Sequence, residues 1–141
     1  MPRISTAFFA TAVLYALAGM VLGMVMGASG DHTMRPLHAH INLLGWATLG
    51  LMGAFYGVAG ERAPRRLAWT VFAVANLGNI LLLAMLSQIL QGKPPVLPLL
   101  IGGEVLVVLG MALFGVSVLL GGRRPPVELA TGETQPLRQA A

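Results

Sequence analysis

Residues 36–59 read PLHAHINLLGWATLGLMGAFYGVA, a stretch that opens on proline, sets His38 and His40 in its first turns and then stays apolar to its end. It meets the length of roughly 20 predominantly apolar residues that a bilayer-spanning helix needs. Three more stretches do the same, at about residues 4–26, 66–90 and 96–120. The whole chain has 141 residues, of which 56% are hydrophobic and only 10% charged. A water-soluble core of that size cannot hide so much apolar surface, so the bilayer is its solvent. The expected fold is therefore all-α, an integral membrane four-helix transmembrane bundle over residues 1–122.

The connections are short and carry turn residues: Gly27-Ala28-Ser29-Gly30-Asp31, Gly60-Glu61-Arg62-Ala63-Pro64 and Gly92-Lys93-Pro94-Pro95. They leave no room for a soluble domain. After Arg123-Arg124-Pro125-Pro126 the composition turns polar without apolar periodicity, so residues 123–141 read as a disordered cytoplasmic tail. The first apolar run is longer than the core of an ordinary signal peptide, which favours a permanent span.

The chain contains no cysteine, which removes disulfides and thiolate chemistry. Its net charge of +4 invites a nucleic-acid reading, but the basic residues sit at span ends and answer to topology first. With four spans both termini share a side. That side collects Arg3, Arg62, Arg65, Arg66, Arg123, Arg124 and Arg138, against Arg35 and Lys93 on the other. By the positive-inside rule both termini are cytoplasmic, which predicts a multi-pass protein of the inner (cytoplasmic) membrane with no nucleic-acid partner.

In lipid, small residues mark the faces where helix backbones approach. Ala12, Ala16, Gly19, Gly23 and Gly27 form such a stripe on the first span, and Gly53 and Gly57 repeat it on the second. Asn76 and Asn79 on the third span must turn inward or toward a partner, because an amide facing lipid leaves its donors unmatched. Glu104 is the one acidic residue well inside a span. It is a functional candidate, or else a partner for His40, Arg35 or Lys93 at the same end.

The chemistry concentrates in Arg35-Pro36-Leu37-His38-Ala39-His40-Ile41-Asn42-Leu43-Leu44-Gly45-Trp46. Residues two apart on an α-helix point about 200° from each other, so His38 and His40 cannot both face one small ion. His38 shares its face with Asn42 and then Gly45, an arrangement against which a flat macrocycle can lie with its iron at the imidazole. His40 shares its face with Leu44, Ala47 and Leu51, a lipid or subunit contact. Interhelical hydrogen bonding is the structural alternative for either ring.

Arg35-Pro36-Leu37-His38 resembles the start of the second helix in cytochrome oxidase subunits of the heme b type, where that histidine ligates low-spin heme. In the other register, His40-Ile41-Asn42-Leu43-Leu44 is similar to the corresponding run of the nitric oxide reductases. The likeness continues through Gly53-Ala54-Phe55-Tyr56 and covers the chain as a small single-domain relative of heme-copper oxidase subunit one. It implies a b-type heme with His38 or His40 as the metal-binding residue, Asn42 and Gly45 beside it, and Arg35 and Lys93 placed to neutralise the propionates. An oxidase catalytic subunit needs six histidines for two hemes and copper, whereas this chain has three. Complete oxygen or nitric oxide reduction by this chain alone is accordingly not expected.

The leading expectation is a membrane-bound b-type heme protein that transfers electrons or binds a diatomic gas. A second imidazole would come from another copy in a homo-oligomer, dimer or higher, or a thioether from Met20, Met24, Met26 or Met34. The alternatives are a copper-binding membrane protein, suggested by His-x-His with eight methionines, and a non-catalytic accessory subunit of a respiratory complex.

Overall fold

The computed structural model describes residues 1–122, and the polar tail expected over 123–141 lies outside the described residues. Four helices long and apolar enough to cross a membrane account for nearly all of the described chain. The first, α1, is Arg3–Ser29, and α3 is Arg65–Leu90, followed by α4, Leu97–Gly122. Between α1 and α3 lies α2, which is composite: α-helical over Arg35–His40, π-helical over Ile41–Thr48 and α-helical again over Leu49–Ala59. A 3-10 turn, Gly60–Arg62, leads into α3. At 26 or 27 residues, α1, α3 and α4 are each about 40 Å long, enough for the roughly 30 Å hydrocarbon core. The fold is an all-α four-helix bundle.

The helices end where the sequence punctuates them. Gly30, Gly60 and Gly92 all take positive φ, the left-handed conformation that glycine adopts without a Cβ clash and that commonly closes a helix. The Gly30 N–H returns to the Met26 carbonyl at 3.0 Å, and Pro36 sits in the first turn of α2, where its missing N–H costs nothing.

Two antiparallel pairs build the bundle, and small residues set both. Along α1 and α2, side chains of one helix enter gaps in the other. Asn42 lies over Gly19, His38 over Gly23, Tyr15 over Gly45, Phe8 and Phe9 over Gly53, and Ser5 over Gly57. The Ser5 hydroxyl donates to the Gly53 carbonyl at 2.8 Å. Of the small-residue stripe on α1, Ala12, Ala16 and Gly19 are buried, whereas Gly27 has open space around it. Between α3 and α4 the backbones themselves touch: a Cβ on Gly78 would lie 2.7 Å from the Val107 nitrogen, and one on Gly103 would lie 2.8 Å from the Leu82 nitrogen.

The tightest core gathers at the arginine-rich end. Phe8 stacks on Tyr56 and meets Phe72 edge-on, with ring centroids 5.3 and 5.1 Å apart. Buried Tyr56 donates its hydroxyl to buried Ser117 at 3.0 Å, tying α2 to α4. That bond satisfies the hydroxyl that Tyr56 brings inside, as burial demands. Only 11% of the apolar window of α4 is buried within the molecule, against 33% for α2, so α4 presents most of its surface outward, as a lipid- or partner-facing helix does.

Candidate functional site

The π-helical segment begins directly after His40 and carries Asn42, Gly45 and Trp46. A π segment accepts main-chain bonds five residues apart and so re-aims the side chains that follow it; such segments are common at functional sites. Two side chains serve its carbonyls. The Thr48 hydroxyl donates to the Leu43 carbonyl at 2.8 Å, and the Asn79 amide reaches across from α3 to the Leu44 carbonyl at 3.1 Å. Asn79 is thus an interhelical fastener. Asn76 instead donates back to Phe72 on its own helix at 2.8 Å.

His38 and His40 point to opposite sides of α2, as their spacing dictates. The His38 ring is part-buried in the space left by Gly23, with Nδ1 2.9 Å from the Gly19 carbonyl oxygen. A carbonyl can only accept, so Nδ1 carries the proton and Nε2 is the lone-pair nitrogen. His40 is exposed, and its Nδ1 lies 2.8 Å from the Pro36 carbonyl one turn back. The same reasoning makes its Nε2 the lone-pair nitrogen, without a hydrogen bond to the described residues. A ring nitrogen fixed on a backbone carbonyl, with the other available, is the usual preparation of a metal-ligating histidine. His32, in the loop before α2, repeats the pattern with the Gly30 carbonyl at 2.9 Å.

The other candidates divide between these two faces. Asn42 packs on Gly19 and donates to the His38 carbonyl at 2.8 Å. Gly45 is buried, and the space above it is taken by the base of the Tyr15 side chain. The expectation of a macrocycle lying over Gly45 therefore needs correction. Within one chain that face is closed by α1, because the gaps at Gly19, Gly23 and Gly45 draw the two helices together instead of leaving a slot. Arg35 stands exposed at the head of α2, and Trp46 is 43% exposed. Further along α2, a Cβ added at Gly50 would meet nothing within 4 Å. The structure thus brings His38, Asn42 and Gly45 together against α1 and leaves Arg35 and His40 outside.

Among the described residues, no three His, Cys, Asp or Glu side chains converge as a metal site. Met20 and Met24 face outward from α1 at 61% and 66% exposure, while Met26 is buried. Glu104 is exposed on α4 and makes no ion pair or hydrogen bond with the described residues. In the loop before α2, the Thr33 hydroxyl and N–H both donate to Asp31 Oδ1, at 2.6 and 2.9 Å. These bonds hold the Asp31 carboxyl below its ordinary value. They also order the chain as it enters α2.

Sequence reasoning missed the π segment and the closure of the His38 face by Tyr15. The aromatic that fills the gap belongs to another helix, and no local spacing announces it. Compared with known proteins, the chain matches no family model, no curated sequence and no solved structure.

Proposed function

We propose that this chain is a membrane-bound b-type heme protein, similar in its histidine segment to heme-copper oxidase subunit one, and that His40, on the uncovered face of α2, would hold the heme iron through its imidazole. The observation that carries this reading is the His40 ring itself, exposed, with Nδ1 held by the Pro36 carbonyl and Nε2 free. Arg35, exposed five residues earlier, is the residue to neutralise a propionate. The helix rise sets His40 about 7 Å below Arg35 along α2, so imidazole and guanidinium lie at depths suited to an iron and a carboxylate edge. A second copy presenting its own His40 would complete six-coordinate iron in an isologous dimer.

When bound, the heme supplies one-electron chemistry, or a coordination position for a diatomic gas if the second axial ligand is weak. The protein's part is to fix the imidazole tautomer, to exclude water with Leu43 and Trp46 and to neutralise the propionates. His38, by contrast, is a packing residue in the α1–α2 seam. The arginine-rich end, with Arg3, Arg62, Arg65 and Arg66, supports cytoplasmic termini in the inner membrane.

Absorption spectra of the protein purified in detergent with heme supplied test the proposal. Wild type is expected to show a Soret band with about one heme per two chains in the dimer. H40A should lose it, while H38A should keep it and unfold more readily. No Soret band in wild type, or full heme content in H40A, contradicts the reading. Stoichiometric copper without heme would replace it with a copper-binding role.

A second reading is favoured by α4, whose exposed Glu104 and outward Val105 and Val108 suit a partner better than lipid. In that reading the chain is an accessory subunit of a respiratory complex. Stable co-purification of oxidase or reductase subunits supports it.

A further inference from the structure

At the end of the bundle opposite His40, the structure leaves a fissure of about 680 Å³, in the size range of sites for small organic ligands. Its mouth is formed by the amino-terminal turns of α1 and α3, and its back by Tyr56 and Ala68. Both turns are preceded by proline, Pro2 and Pro64, and neither has a side-chain cap. Their first N–H groups therefore have no side-chain acceptor, and the positive ends of two helices lie at the fissure. Arg3 and Arg65, both exposed, stand on the rim and outnumber Glu61, the one acidic group of the lining. Four features of independent origin, two helix ends and two guanidiniums, thus favour an anion at the mouth.

Below the rim the walls are apolar. Ile4, Ala63 and Ala68 are buried, and Trp69 offers a ring that is 39% exposed and held edge-on by Phe72 at 5.7 Å. A small hydrated anion would leave that part of the fissure filled with poorly bonded water. An amphiphile matches both parts, with its charged head at the arginines and a hydrocarbon chain along Trp69.

We propose that this fissure is a binding site for one anionic phospholipid, its phosphodiester held by Arg3, Arg65 and the two helix amino termini and its acyl chain lying along Trp69. The site is separate from the His40 face and stands whether or not heme is bound there. Each arginine near an anionic headgroup is expected to contribute about fivefold to selectivity for anionic over zwitterionic lipid.

The test uses W46F, in which Trp69 is the sole tryptophan, reconstituted in phosphatidylcholine vesicles. A small, increasing fraction of either phosphatidylglycerol or phosphatidylcholine with brominated acyl chains is then included. Brominated phosphatidylglycerol is expected to quench Trp69 several-fold more than brominated phosphatidylcholine and to saturate at low fraction. Adding R3Q and R65Q, both at exposed positions, should reduce the two lipids to equal quenching, whereas R35Q at the other end should not. Excess inorganic phosphate should leave the preference intact, because the acyl chain anchors the lipid. Equal quenching by both lipids, a preference that rises without saturation, its persistence in R3Q/R65Q, or its abolition by phosphate would each overturn the proposal.

Discussion

Gly45→Ala is expected to destabilise the protein by about 2–3 kcal/mol, read as a lower midpoint of unfolding in detergent. The added Cβ would stand 2.6 Å from the Tyr15 Cβ and closer still to its Cγ. No rotation of the Tyr15 ring relieves that contact, because the obstruction is at the base of the side chain. Either α1 shifts away or the π segment deforms. A helical glycine replaced by alanine normally gains about 1 kcal/mol from propensity, and here the overlap outweighs it. Gly50→Ala is the internal control. It lies on the same helix with nothing within 4 Å of its Cβ, so the propensity gain should appear unopposed. Equal effects of the two substitutions would mean that α1 does not close over Gly45.

Gly78→Ala should cost more, about 3 kcal/mol, at the upper end of overpacking effects. Its Cβ would meet the Val107 nitrogen at 2.7 Å and the Leu106 carbonyl carbon at 3.0 Å. Backbone atoms have no rotamer to adopt, so α3 and α4 must separate along their line of contact, and van der Waals packing between close backbones is what holds helices together in lipid. The neighbouring Asn79 would move with its helix and release the Leu44 carbonyl, so the loss should spread to the π segment of α2. Gly102→Ala, one residue from the seam at Gly103 and with open space around it, should show the same unopposed propensity gain as Gly50→Ala. Unfolding midpoints of the four variants, measured under one condition, check both comparisons.

The four spans were legible because length and apolarity alone specify a bilayer helix, and the loop glycines at 30, 60 and 92 took the positive φ that ends such helices. Opposed directions for His38 and His40 followed from the helical repeat. The α1 stripe announced a close approach, but not which side chains would enter it. Asn42 and His38 of α2 enter it at Gly19 and Gly23, while Tyr15 and Phe8 of α1 itself fill the gaps that Gly45 and Gly53 leave on α2. That missing knowledge is why Gly45 read as a ledge for a macrocycle when it is the socket for Tyr15. The π segment left no signature, since Ile41–Thr48 has the composition of any apolar helix, and only its carbonyl bonds to Thr48 and Asn79 betray it. The α3–α4 seam did leave a signal: Gly103 and Gly110, seven residues and two turns apart, share one face of α4.

In the structure α1 seals the His38 face of α2, and the proposed heme is assigned to the His40 face. The chain has no cysteine of its own, so G19C/N42C provides a clean lock across the seam. An ideal Cβ at position 19 lies 2.9 Å from the Asn42 Cγ, within reach of a disulfide. The measurement is heme absorbance per chain before and after oxidation of this variant. The cross-link is expected to form within one chain and to leave the Soret band unchanged. Failure of the cross-link, or release of heme when the seam is locked, would contradict that assignment.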